Sequence, residues 1–254
     1  MRILAVDVGT SRTHAALLKG PDVICRIELD TAACLDERGA ASAAEVLLAR
    51  APEGGEGMLG GLASVVPRAT GSWLQVLEKR TGRAPVVVDA AGSLPVKVGL
   101  RMPERVGADR VADVVAAVER HEPPVLAVDL GTAATFDLVE TGPLWVGGVI
   151  APGPEAAMEG LTARAVQVDR VTMDVPTCVA GRDTEEALRS GVVLGHAALV
   201  DGLVRRIWDE RGGRCPVIAT GGWAARLQDL LETVDEVDPD LTLRGVALIA
   251  LHRT

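Results

Sequence analysis

Aromatic side chains are nearly absent from this chain, with one Phe, no Tyr and four Trp in 254 residues. That removes the stacking platforms on which single-stranded nucleic acid is held and leaves a core to be built from Val, Leu and Ala. Basic runs are absent too, and the net charge is −9, so no nucleic-acid partner is expected. The cysteines Cys25, Cys34, Cys178 and Cys215 form no C-x-x-C pair and have no matched His spacing. This argues against a zinc or redox motif, and they read as small buried hydrophobes. No apolar run reaches membrane-spanning length. Met1 leads straight into a strand instead of the charged and apolar regions of a signal peptide. These absences point to a cytoplasmic protein with no membrane partner. The G-x-G-x-x-G of a dinucleotide-binding fold is also missing after the first apolar run.

What the chain does contain is the composition of an ordinary globular protein, 48% hydrophobic and 24% charged, and an internal echo. Ile3-Leu-Ala-Val-Asp-Val-Gly-Thr-Ser-Arg-Thr13 returns in altered form as Val125-Leu-Ala-Val-Asp-Leu-Gly-Thr-Ala-Ala-Thr135. The two copies lie about half the chain apart, too far for a solenoid repeat and suited to a duplicated domain. Each reads as a buried strand that breaks at Asp-x-Gly-Thr into a tight turn and returns as a second strand, Thr13 to Leu18 and Thr135 to Val139. Such a turn sets backbone N–H groups and hydroxyls beside a carboxylate, the parts needed for a phosphate and its cation. A single Asp-x-Gly turn is equally the signature of a plain hairpin. Two copies in register with the halves favour the phosphate reading.

Between these landmarks the order is strand (Val23 to Leu29), helix (Ala40 to Arg50), a Gly/Glu-rich loop (Pro52 to Gly57), strand (Gly61 to Val66), a helix opened by Pro67 and running to about Arg80, and strand (Pro85 to Asp89). That order resembles one ribonuclease H-like half of the actin-like and sugar-kinase fold. A Gly-rich and Pro-rich stretch then delivers Gly107-Ala-Asp-Arg110 to a helix, Val111 to Arg120. Asp109 can be read there either as a helix cap or as a catalytic carboxylate. His121-Glu-Pro-Pro124 reads as the inter-domain link. In the second half, a strand over Leu144 to Ile150 precedes Ala151-Pro-Gly-Pro154. Asp183 or Thr184 caps a long helix, roughly Glu185 to Arg211. A strand from Cys215 to Ala219 ends in Thr220-Gly-Gly222 before a helix near Ala224, a weak nucleotide seat by itself.

With these pieces in place the chain resembles a type III pantothenate kinase, of the acetate and sugar kinase/actin superfamily. The resemblance rests on Asp7-Val-Gly with Thr13, Ser64-Val-Val-Pro67, Gly107-Ala-Asp-Arg110, Asp129-Leu-Gly-Thr-Ala133 with Thr135, Gly147-Gly-Val-Ile-Ala-Pro-Gly153, Thr184 with Ser190-Gly191, Thr220-Gly-Gly222 and Leu241-Thr-Leu-Arg-Gly245. It implies an α/β protein of two duplicated ribonuclease H-like domains, residues 1–120 and 121–254, facing an interdomain cleft. It implies ATP-dependent phosphorylation of pantothenate to 4'-phosphopantothenate, the first step of coenzyme A biosynthesis.

Asp109 is then the general base, with Gly107, Ala108, Arg110, Leu100 and Thr184 as substrate contacts. The phosphate loop, Asp7, Val8, Gly9, Thr10, Ser11, Arg12, Thr13 and His14, binds ATP together with Thr132. Asp129 is the ligand of a monovalent cation, K⁺ or NH₄⁺, and Mg²⁺ accompanies ATP. The resemblance also implies a homodimer with the pantothenate pocket at its interface. The chain departs from the family pattern at Thr10 and Asp113, where the family usually has Asn, at Leu100, near which it commonly has Tyr, and at Val166-Gln167, which replaces Leu-Pro. Those departures keep two alternatives open: a weak or inactive paralogue acting as a nucleotide-binding or regulatory protein, and a kinase for another small hydroxylated substrate.

Overall fold

The apolar run after Met1 forms a strand, β1 (Arg2–Val8), whose residues from Ile3 onward are buried. In the computed structural model, which describes residues 1–50, 57–163 and 171–254, β1 turns back at once into β2 (Arg12–Lys19) and then β3 (Asp22–Asp30). A 3₁₀ turn, Thr31–Cys34, leads to α1 (Glu37–Ala49), capped by Asp36, which accepts from the Gly39 N–H at 2.8 Å. Residues 52–56 of the expected loop lie outside the described residues, as do Val166 and Gln167. The chain continues through β4 (Leu59–Ser64), α2 (Pro67–Thr81), a two-residue β5 (Val86–Val87), β6 (Lys97–Val98) and α3 (Ala108–Arg120). The strand expected over Pro85 to Asp89 thus shrinks to two paired residues.

The second copy of the motif supplies β7 (Val125–Leu130) and β8 (Ala133–Glu140), followed by β9 (Leu144–Pro152), α4 (Pro154–Thr162), α5 (Thr184–Arg211), β10 (Val217–Thr220), α6 (Ala224–Leu227), β11 (Glu236–Val237) and α7 (Leu241–His252). The sheets run β3-β2-β1-β4-β5 and β11-β10-β7-β8-β9-β6. With β6 set aside, the second order repeats the first, strand for strand. β4 is parallel to β1 as β10 is parallel to β7. The duplication read from two short motifs therefore extends to whole sheets.

Contacts divide the chain into two compact units. One holds Met1–Pro123, Val139–Gly147 and Asp240–Thr254; the other holds Pro124–Leu138 and Gly148–Pro239. The chain first leaves the first unit after Pro123, and its last helix returns to that unit. The reason lies in α7 itself: Leu241, Leu243, Val246, Ala247, Ile249 and Ala250 are all buried, and they pack against β1, β4 and α3. Gly245 sits where α7 crosses α3 so closely that a Cβ would collide with the Ala112 carbonyl. The helix at Leu241 to Gly245 and the helix α4 were not evident from sequence periodicity.

On the other side of the first sheet, Trp73 and Leu77 of α2 and Leu47 of α1 close a core over Leu4, Val6 and Leu62. In the second unit Phe136, Trp223 and Trp208 join Val193, Val200 and Val204 of α5. By length and composition α5 is apolar enough to cross a bilayer, contrary to the expectation that no such run exists. Its buried residues serve this core. Cys25 is half-buried, Cys34 and Cys215 are buried and Cys178 is exposed, so the expectation of four buried thiols fails at Cys178. Among the described residues, no group of three or more His, Cys, Asp or Glu could hold a metal ion.

Candidate functional site

Strand alternation decides what the first Asp-x-Gly turn presents. Val8 pairs with Thr13 across the hairpin, and the Gly9 N–H donates to the Arg12 carbonyl at 3.0 Å, so Gly9 to Arg12 form the tip. Thr10, Ser11 and Arg12 are exposed. Asp7, one residue inside the strand, is 9% exposed and faces His14 across the hairpin register. His14 Nδ1 lies 3.8 Å from the Asp7 carboxylate and its Nε2 3.8 Å from that of Glu28, ion-pair distances longer than a close hydrogen bond. Burial alone would lower the pKa of His14, but the Asp7 carboxylate and the charge of Glu28 outweigh it and raise the pKa above its ordinary value. Arg12 is engaged with β3, 3.6 Å from Glu28 and 3.0 Å from Asp30.

Thr13 corrects the sequence reading. Its side chain is fully buried, and its hydroxyl is 3.0 Å from that of Thr31 and accepts from the Cys34 thiol at 3.3 Å. As an inward position of β2 it supports the turn from behind and offers no hydroxyl to a ligand. Thr31, and the place of Cys34 behind the turn, are not legible in the sequence because both residues lie outside the motif, some twenty residues further along.

The first unit carries a second group of the expected residues at the same end of its sheet. β4 lies in parallel register with β1, Asp7 beside Ala63, and the Val65 N–H donates to the Val8 carbonyl at 3.1 Å. Val65 in turn lies 3.5 Å from where a Cβ on Gly107 would stand. Gly107 is the N-cap residue of α3 and makes no side-chain cap. Asp109 is therefore inside the first helical turn, where its Oδ1 accepts from the Arg110 N–H at 2.8 Å. The cap reading of Asp109 does not apply. Its carboxylate also stands where a side chain on residue 107 would begin.

Arg110 extends its guanidinium over Trp145, 5.5 Å from the ring centroid, within cation–π range. Trp145 is fully buried and belongs to a strand pair with Val98, after which the Gly99 N–H donates to the Trp145 carbonyl at 2.9 Å. That pairing leads into Leu100. The chain just before it is held by Arg253, whose guanidinium donates to the carbonyls of Val87 and Asp89. Asp113, one helical turn beyond Asp109, is turned to α7 and accepts from the Thr242 hydroxyl at 2.7 Å. Its carboxylate thereby ties α3 to α7.

The second unit has its own Asp-x-Gly turn. Asp129 ends β7 beside Thr220 of β10, and the Gly131 N–H donates to the Ala133 carbonyl at 3.0 Å. Gly221 adopts φ +91°, and a Cβ there would collide with the Asp129 carboxylate. Gly221 is thus required both by its left-handed backbone and by the carboxylate occupying the space of its missing side chain. Thr132 is exposed, and its carbonyl accepts from the Gly153 N–H at 3.0 Å, which links this turn to the Pro-Gly turn after β9. Thr184 is the exposed first residue of α5. The cap is Asp183, which accepts from the Glu186 N–H at 2.8 Å, while Glu186 reaches back to the Arg182 N–H at 2.8 Å.

A family model described as type III pantothenate kinase matches residues 3–206. A relative of that name from Thermus thermophilus is 38% identical over 259 residues, covering 99% of each chain. Among solved structures, the chain resembles the activator of the 2-hydroxyisocaproyl-CoA dehydratase from Clostridium difficile, solved with ADPNP bound, at TM-score 0.61 and 13% identity over 100% of this chain and 95% of that one. It also resembles the ROK hexokinase from Thermus thermophilus, at TM-score 0.51 and 18% identity over 100% and 99%. At these identities the structures speak for the fold alone, an α/β fold of the actin-like and sugar kinase type.

Proposed function

Because the chain belongs to the type III pantothenate kinase family, we propose a division of labour among its residues for that family's reaction. The protein is a kinase that transfers phosphate from ATP to pantothenate. The observation that best supports the assignment of residues is that Val65, at the end of β4, bonds to Val8 beside the turn from Gly9 to Arg12 and also lies 3.5 Å from where a Cβ on Gly107, at the start of α3, would stand. A phosphate-holding turn and a carboxylate then lie on the same rim, as transfer to a hydroxyl requires.

The turn carrying Thr10 and Ser11 receives the phosphates of ATP, with Asp7, Val8 and His14 behind it and Arg12 at its edge. Mg²⁺ bound with ATP would neutralise charge on the transferring phosphoryl group. Asp109 accepts the proton of the pantothenate hydroxyl as the oxygen attacks. Arg110, seated on Trp145, faces the substrate's carboxylate, a pairing that suits guanidinium, while Gly107, Ala108 and Leu100 line the same rim. In the second unit, Asp129 would hold the monovalent cation, K⁺ or NH₄⁺. Its carboxylate, which packs against the side-chain-free Gly221, supplies oxygen donors, and these suit such a cation. Thr132 contacts ATP beside it.

We further propose a homodimer in the cytoplasm, with Thr184 completing a pantothenate pocket at the interface. Support for an interface comes from β9, where Leu144, Val146 and Ile150 are exposed apolar residues at alternate positions. The organisation into two ribonuclease H-like domains follows the repeated strand order. The test is coupled ADP release by the purified protein with Mg²⁺ and either K⁺ or Na⁺, with and without pantothenate. Turnover dependent on pantothenate and stimulated by K⁺ is expected. ADP release with another alcohol and none with pantothenate would overturn the substrate assignment.

A further inference from the structure

Thr31 touches the tip of the first hairpin from a different part of the chain, and it does so twice. Its hydroxyl donates to the Gly9 carbonyl at 2.8 Å, and its backbone N–H donates to the Ser11 carbonyl at 3.1 Å. The Arg12 carbonyl is taken by the Gly9 N–H. Three of the turn's carbonyl oxygens are therefore satisfied on the protein side, and two of them by one residue. The consequence follows from peptide geometry. In a planar trans peptide the N–H points opposite to the C=O, so drawing the Gly9 carbonyl toward Thr31 aims the Thr10 N–H away from it, toward the exposed side of the turn. A phosphate is repelled by carbonyl oxygens and attracted by N–H groups. The orientation of this one peptide decides which the ligand meets.

We propose that Thr31 is a positioning residue for nucleotide binding, which sets the Gly9–Thr10 peptide so that the turn presents N–H groups to the phosphates of ATP. The inference rests on the reading of residues 9–12 as the phosphate loop. Thr31 is 3% exposed and touches no ligand itself. Its hydroxyl is in turn held by Thr13, 3.0 Å away, and Thr13 accepts from Cys34 at 3.3 Å. Behind the turn there is thus a short buried hydrogen-bonded chain, Cys34 to Thr13 to Thr31 to Gly9. In it only the last bond bears on the ligand, which separates the role of Thr31 from that of its neighbours.

The variants are Thr31→Val, which keeps the shape and removes the hydroxyl, Thr31→Ser, which restores it, and Cys34→Ala, which loosens the same buried chain without touching Gly9. Steady-state kinetics are measured with ATP and pantothenate each varied, alongside melting temperature. Loss of one such bond is expected to raise KM for ATP in Thr31→Val by about five- to tenfold, with KM for pantothenate within about twofold of the parent on the same reasoning. Thr31→Ser should return KM for ATP to near the parent, and Cys34→Ala should lower the melting temperature while leaving KM for ATP at the parental value. Parental KM for ATP in Thr31→Val, or an equal rise in Thr31→Val and Cys34→Ala, overturns the proposal.

Gly9→Ala tells this failure from failure of the underlying reading. Its added Cβ would stand 2.9 Å from the Arg12 carbonyl and must displace the turn. If Gly9→Ala also leaves KM for ATP unchanged, residues 9–12 are not the phosphate loop. If only Thr31→Val is silent, the loop reading stands and the positioning role falls. Should Thr31→Val not fold, Thr31→Ser against Thr31→Ala in the presence of ADP, read as ligand-induced stabilisation, makes the same comparison: equal shifts overturn the proposal and a smaller shift for Ala supports it.

Discussion

Asp109 stands in the first turn of α3 with a glycine in the capping position, so its charge acts on the helix through the dipole, and its Oδ1 accepts from the Arg110 N–H. An amide can accept that bond equally well. Asp109→Asn is therefore expected to melt within a degree or two of the parent, in line with a dipole term of about 0.3–1 kcal/mol, while turnover falls by about 10²-fold because the amide cannot take the hydroxyl proton. Turnover above about half that of the parent would defeat the base assignment, given the size of the expected loss. His14 yields a pH prediction with a definite sign. Its pKa is raised in the fold above 6.5, against the pull of burial, by Asp7 and Glu28. The protonated form is thus bound more tightly by the native state, and this stabilisation is complete below the ordinary pKa and lost as pH rises through the folded value. The melting temperature of the parent should exceed that of His14→Gln most at about pH 6 and least at about pH 8.5. A gap that stays constant or widens over that range contradicts the assignment.

Helix α7 stands on a single backbone contact as much as on its apolar face. Its crossing of α3 leaves no room for a side chain at residue 245, where a Cβ would meet the Ala112 backbone, and backbone cannot rotate away as a side chain can. The Asp113 to Thr242 bond fixes the same two helices near their starts. Gly245→Ala is expected to cost about 1–3 kcal/mol, the usual penalty of overpacking, despite the higher helix propensity of Ala. Urea denaturation should show a lower midpoint with an unchanged slope. A variant as stable as the parent would mean that the crossing relaxes at no cost. Because α3 carries Asp109 and Arg110 within one turn of Ala112, the same variant should reduce turnover with pantothenate if the shift is transmitted to them.

At the scale of the whole molecule, the first unit depends on the last residues of the chain. α7 buries Leu241, Leu243, Val246 and Ile249 against the sheet that carries the phosphate turn. At about 1.5–3 kcal/mol for each large side chain, its loss would remove an amount comparable to the about 5–15 kcal/mol by which a domain is stable. A chain ending at Pro239 is expected to show no cooperative thermal transition by circular dichroism. A transition within a few degrees of the parent's would mean that the first unit folds without its returning helix. Duplication makes this dependence concrete, since the two sheets repeat one strand order while the connection that ends the chain belongs to the opposite half.

The sequence by itself determined the duplicated strand-turn-strand, the apolar interiors of β1 and β7, the start of α2 at Pro67 and a cap at Asp183 or Thr184, because alternation, proline geometry and capping act over a few neighbouring residues. It also placed Gly107 to Arg110 at the opening of a helix. What it could not contain was the destination of groups whose partners lie far along the chain. Thr31 finds Gly9 across 22 positions, and Thr242 finds Asp113 across 129. Thr13 is equally at home in or out of a motif until β2 pairs with β1 and turns it inward. Local rules choose the element. Which face of it meets solvent, and which distant side chain completes a hydrogen bond that burial makes obligatory, was decided when the sheets assembled and α7 returned.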